Sequence, residues 1–173
     1  MTKPQRRRLG PTTDIIVQSE LWGHRPEAAA TVRRAIAMAA DLCDAPAGEV
    51  SVVLTDDRTI RGLNREWRGR DTATNVLSFP AAGAGAAPSA PAPLGDIVIA
   101  YETLLRESTS EQKSFLAHLA HLSVHGFLHL LGYDHTSDRE AETMENLERA
   151  ILRQLGVPDP YAAAAPARVI NRG

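Results

Sequence analysis

Apolar positions recur along this chain with two different periods, and the switches between them mark out the elements. Asp14 to Val17 opens a short β-branched run that predicts a first strand. From Pro26 to Asp44, Ala, Ile and Met fall at helical spacing behind a starting proline, which predicts a helix that Pro46 and Gly48 break. Val50 to Leu54 predicts a second strand, Asp57 to Arg68 a second helix, Val76 to Phe79 a third strand closed by Pro80, and Ile97 to Tyr101 a fourth. Ser110 to Leu131 reads as one long helix stopped by Gly132. Ser137 to Leu155 reads as the last, with Ser137 and Glu140 at capping-box spacing and Gly156 and Pro158 beyond its end.

Strand–helix–strand segments early in the chain favour parallel pairing. Between the third and fourth strands, residues 81–93 are Ala, Gly, Ser and Pro almost throughout, a flexible loop that favours antiparallel neighbours. A mixed sheet with helices packed on it follows, an α+β or α/β sandwich. Residues 1–13 read as a flexible basic lead, 14–160 as a single domain and 161–173 as a flexible tail.

Composition narrows the options modestly. The 19 Lys and Arg against 21 Asp and Glu leave a net charge of −2, so any nucleic-acid role must come from local clustering. The single cysteine, Cys43, forms no internal disulfide, lies near the end of an apolar helical stretch and reads as packing. Arg6, Arg7 and Arg8 are followed by no apolar h-region, and no run reaches the ~18 apolar residues of a membrane span. A cytoplasmic protein without a membrane partner is expected.

The candidate chemistry is concentrated in the histidine helix. Five of six histidines lie between His118 and His135, and His118, His121, His125 and His129 fall within an arc of roughly 80° on one helix face. Histidines four apart on a helix can bind the same ion, and the turn at Gly132 lets His135 swing back towards them. His125, His129 and His135 are therefore the expected metal ligands. Three neutral nitrogens suit zinc and leave a position for water, although cobalt, nickel or copper fit the same set. His121 either supports a ligand from behind or touches substrate, and His118 reads as packing or exposure. Asp134 orients His135, accepts a proton or shapes the turn.

The spacing HxxxHxxGxxH is that of the metzincin peptidases, but Gly126 stands where those enzymes carry the glutamate that serves as general base. The substrate is then one for which a metal-bound hydroxide and positive charge suffice, or one that brings its own base. Arg58, Arg61, Arg65 and Arg68 form a cationic stripe within roughly 80° of helix arc, opposite Ile60, Leu63 and Trp67. Such a stripe either follows a phosphate backbone or is a solvated face offset by Asp57, Glu66 and Asp71. Asn75 and Ser78, at the third strand, either satisfy loop backbone groups or touch substrate.

HLSVHGFLHLLGYDH, with LNREWRGRDTATNVLSFP, LGDIVIA and DREAETMENLE in this order, resembles the YbeY family of bacterial endoribonucleases from about Val50 to Tyr161. The resemblance implies an α+β fold with a four-stranded mixed sheet, about five helices and a metal-binding helix ending in a glycine turn. It implies a zinc-dependent, single-strand-specific endoribonuclease acting in maturation of the 3′ end of 16S ribosomal RNA and in ribosome quality control. Implied partners are single-stranded and ribosomal RNA and the ribosome or small-subunit assembly factors. His125, His129 and His135 match the family's ligands and Arg68 the arginine needed for activity, with Arg61 and Arg65 expected to guide the strand. The rival readings are a metallopeptidase-like hydrolase and a non-enzymatic RNA- or ribosome-binding module with a structural metal.

Overall fold

The computed structural model describes residues 9–82 and 92–162. Most of the expected basic lead, residues 83–91 of the Ala/Pro/Gly loop and the tail from residue 163 lie outside the described residues. The order is β1 (Thr12–Val17), a 3-10 turn (Glu20–His24), α1 (Ala28–Leu42), β2 (Glu49–Thr55), α2 (Asp57–Arg68), β3 (Val76–Pro80), β4 (Pro93–Ala100), α3 (Tyr101–Ser110), α4 (Phe115–Leu130) and α5 (Asp138–Gln154). The four strands form one mixed sheet in the order β1-β2-β4-β3. The first three are parallel and β3 runs antiparallel to β4 at the edge. This is the α+β architecture that the resemblance implies.

Alternation along the strands sends residues to two cores. Val50, Val52 and Leu54 of β2 and Ile97 and Ile99 of β4 face the larger one, with α1, α4 and α5. Leu77 of β3 and Val98 and Ala100 of β4 face the smaller one, under Ile60 of α2. The central helix α4 is therefore buried on most sides, while α2 covers the opposite face of the sheet. Local chemistry sets the ends of these helices. Asp56 accepts from Thr59 N at 2.8 Å to start α2, and Gly69 closes it in the left-handed conformation. The capping box of Ser137 and Glu140 starts α5.

Three expectations are corrected. The helix expected over Ser110–Leu131 is α4 and starts only at Phe115; Ser110 ends α3 (Tyr101–Ser110), a helix that was not expected. Gln112 at φ 54° breaks the chain between them, and the Ser114 hydroxyl caps a new start at Ala117 N. The fourth strand is Pro93–Ala100 and not Ile97–Tyr101: pairing with β2 on one side and β3 on the other extends it backwards, and Tyr101 begins α3. Finally, β2 and β3 are not a parallel pair. β4 lies between them, and the β3–β4 hairpin turns β3 antiparallel.

Candidate metal centre

Helix α4 carries His125 and His129 to its C-terminal end beside edge strand β3. Gly132, at φ 96°, then reverses the chain, and Tyr133 N returns a bond to Leu128 O at 3.1 Å. The reversal brings His135 to the other two. One ring nitrogen from each of His125, His129 and His135 lies within 4.8 Å of the others, and these three can hold a metal ion.

The hydrogen bonds behind the rings fix which nitrogens face inward. Tyr133 O, a carbonyl, can only accept, so His129 carries its proton on Nδ1 (2.9 Å). The Glu148 carboxylate likewise accepts a hydrogen bond from His125 Nδ1–H at 2.5 Å. In the neutral rings both Nε2 atoms are then bare lone pairs, and they face each other at 3.1 Å. Burial, followed by the neighbouring His125 and His135, lowers the His129 pKa and favours its neutral form. Two acceptors held face to face are stabilised by a cation between them, so the donor set fits a divalent metal that takes imidazole ligands.

Glu148 is a functional residue that sequence reasoning missed. It is fully buried on α5, yet it is an acid. Its carboxylate accepts from His125, from His121 Nε2 at 3.2 Å and from the Tyr161 hydroxyl. Burial pushes its pKa up, but the bonds from His121 and His125, the His125 charge and Tyr161 outweigh burial and bring it to about 2. Burial and then Glu148 raise the Tyr161 pKa, so its hydroxyl stays a donor. One signal for Glu148 was legible. It shares the apolar stripe of Met144, Ile151 and Leu152, at spacings of four, three and one, where a carboxylate needs buried partners.

The remaining expected residues fall in distinct places. His121 stands one turn behind the triad and shares Glu148 with His125. His118 is buried against Glu107 at 2.7 Å, and Glu107 also accepts both bonds from Asn75 Nδ2 at 3.1 Å. Asp134 accepts from the His135 backbone N at 2.8 Å, which shapes the turn. Arg68 reaches over the sheet edge and donates to Ser78 O at 3.0 Å, while Ser78 Oγ donates to Gly126 O at 3.0 Å. A groove of about 480 Å³ is lined by Asn64, Arg68, Arg70 and Asn75 together with the three histidines. Arg61 and Arg65 lie outside it. Arg61 is engaged with Asp71 at 2.9 and 3.1 Å, and this pairing depresses the Asp71 pKa.

An α+β fold whose groove is lined by an imidazole triad and by arginines has the parts of a hydrolase for anionic substrates. Comparison with known proteins makes this specific. The family model described as Endoribonuclease YbeY matches residues 17–156. A Bradyrhizobium protein named endoribonuclease YbeY is 57% identical over 157 residues, covering 88% of this chain and 93% of the relative. Its namesakes from Nitrobacter hamburgensis and Rhodopseudomonas palustris are 55% and 56% identical, again over 88% of this chain and over 83% and 82% of their own. This chain belongs to the YbeY endoribonuclease family. A Thermotoga maritima protein solved in solution shares the fold, with a TM-score of 0.50 at 20% identity over 91% of this chain and 99% of that one. The peptidase and structural-metal readings are not favoured. Among the described residues, no helix is long and apolar enough to cross a membrane.

Proposed function

We propose that this chain is a zinc-dependent, single-strand-specific endoribonuclease that matures the 3′ end of 16S ribosomal RNA and serves ribosome quality control in the cytoplasm, working with the ribosome or small-subunit assembly factors. The observation that carries the reading is one groove lined by both Arg68 and a histidine triad whose inward nitrogens are bare. His125, His129 and His135 hold the ion. Bound zinc supplies Lewis acidity towards a phosphate oxygen and makes water more acidic.

The protein's own groups do the rest. Arg68 is anchored by one N–H to Ser78 O, and its other donors stabilise charge that develops on the phosphoryl oxygens. Glu148 and Tyr133 O hold two ligand rings in the productive tautomer. Arg61 and Arg65, outside the groove, guide the approaching strand by charge. No carboxylate at position 126 is needed, because RNA brings a 2′-hydroxyl that can act as nucleophile in place of water.

The test is metal analysis together with cleavage of a labelled single-stranded RNA by wild type, His129→Ala and Arg68→Ala. The wild type is expected to hold about one zinc per three-histidine site and to cut, His129→Ala to lose both properties, and Arg68→Ala to keep the metal without cutting. Equal cutting by all three preparations refutes the reading and points to a contaminant. A 2′,3′-cyclic phosphate on the product rules out direct water attack in the first step, whereas a 5′-phosphate with a free 3′-hydroxyl rules out attack by the 2′-hydroxyl.

A further inference from the structure

Trp67 is a large apolar ring left in solvent next to Arg68, which lines the groove. It is 66% exposed, whereas the other tryptophan, Trp22, is 3% exposed and donates its Nε1–H to Thr55 O at 2.9 Å. Full burial of such a ring is worth on the order of 2–3 kcal/mol in fold stability, and this position forgoes most of it. Trp67 sits where the end of α2 overhangs edge strand β3. There its ring meets Phe79 edge-on, with centroids 6.2 Å apart and planes at 66°. Phe79 is itself braced against the small core of Ile60, Leu77 and Val98.

The junction is chemically mixed. Trp67 is followed by Arg68, whose guanidinium crosses to Ser78 O, and Ser78 is followed by Phe79. Two consecutive residues on the helix thus meet two on the strand: Arg68 and Ser78 line the groove, and the aromatic pair lies one residue away from each. Arg70, just beyond the helix, lines the same groove. On the helix Trp67 and Arg68 are about 100° apart, and the acidic Glu66 lies about 100° away on the opposite side of Trp67. The ring therefore lies on the side of α2 away from Arg58, Arg61 and Arg65, and Arg68 is the member of the stripe nearest to it.

We propose that Trp67, braced by Phe79, is a stacking platform for an unpaired base of the RNA strand whose phosphate lies at Arg68 and Arg70. This deepens the ribonuclease reading and rests on it. A π face accepts any base, and the neighbouring guanidiniums take the backbone charge. In a duplex both faces of a base are covered by its neighbours, so the platform selects single strands without reading sequence.

The test uses the full chain with its metal, reading binding on a short 2′-O-methyl oligoribonucleotide that is not cut through its 2′ oxygen and cutting on unmodified RNA of the same sequence. Because Trp22 is buried, emission that responds to ligand reports Trp67. The oligonucleotide is expected to quench that emission, while inorganic polyphosphate, which carries the charge without bases, leaves it unchanged. Trp67→Ala should weaken binding roughly 5- to 100-fold, and Trp67→Phe should retain most of it with an unaltered thermal midpoint. If wild type binds and cuts RNA but Trp67→Ala binds as tightly as wild type, the platform is wrong and the ribonuclease reading stands. If wild type neither binds nor cuts RNA, both fall.

Discussion

Replacing Glu148 by Gln tests whether a carboxylate outside the ligand set governs the metal site. The substitution keeps the shape of the side chain and removes its charge. The native carboxylate accepts from His125, His121 and Tyr161, so three donors converge on two oxygens. Glutamine offers one oxygen and an NH₂, and at least one of those donors then meets another donor. Two quantities should move. First, metal affinity should fall about 10- to 100-fold, because His125 loses the partner that fixes its tautomer and raises its basicity. Competition for zinc against a chelator measures this directly, and unchanged zinc affinity would refute the proposed role. Second, the stability of the metal-free protein should lose part of its pH dependence. The folded pKa of about 2 lies below the ordinary value of 4.5, so the contribution is complete above 4.5 and disappears as pH falls towards 2. The shift corresponds to roughly 3 kcal/mol as an upper limit. Urea melts of wild type and Glu148→Gln should therefore converge as pH falls through that window. Parallel curves from neutral pH down would sink the argument.

Other perturbations separate the remaining elements of the site. Tyr161→Phe removes one donor to Glu148 and should cost about 1–2 kcal/mol of stability, together with a smaller loss of zinc affinity than Glu148→Gln; equal chelator competition by mutant and wild type would show that the hydroxyl is idle. Arg61→Ala and Arg65→Ala should each weaken RNA binding uniformly across sequences and reduce the slope of log affinity against log salt by about one unit or less, and an unchanged slope would place both arginines away from the phosphates. Gly126→Ala should cost up to about 2 kcal/mol: a clash of roughly 1–3 kcal/mol, offset by up to about 1 kcal/mol of helix propensity. An unchanged or raised thermal midpoint would show that the strand yields.

What was legible in the sequence was what neighbouring residues decide. Helix α2 has the predicted bounds, Asp57–Arg68, because its cap, its two-faced pattern and its glycine stop are all local. The ligand triad spans only His125 to His135, so helix geometry and one glycine turn were enough to assemble it. The start of α4 was not legible, because the apolar pattern says little about where Gln112 takes a left-handed backbone and Ser114 begins a new helix. The direction of β3 depends on β4, which comes later in the chain and takes the central place. Tyr161 looked like the start of a loose tail. Its tie to Glu148 and the stacking of Arg149 on its ring, 5.1 Å away, are tertiary contacts with no local signature.

Gly126 shows why the absence of a peptidase glutamate and the presence of Arg68 belong together. A Cβ at position 126 would meet Ile97 Cγ2 at 2.9 Å and Ser78 Oγ at 3.1 Å, so the strands occupy the space a side chain would need. Ile97 is fully buried in the central strand and has little room to retreat. The same approach lets Ser78 Oγ donate to Gly126 O, and the carbonyl of that serine anchors Arg68. One strand residue therefore spans from the metal helix to the arginine. Moving β3 away to admit a carboxylate would break the bond to Gly126 O and displace the anchor of Arg68. The fold thus favours a guanidinium beside the triad over a general base, an arrangement matched to phosphodiester charge and poorly matched to a peptide bond.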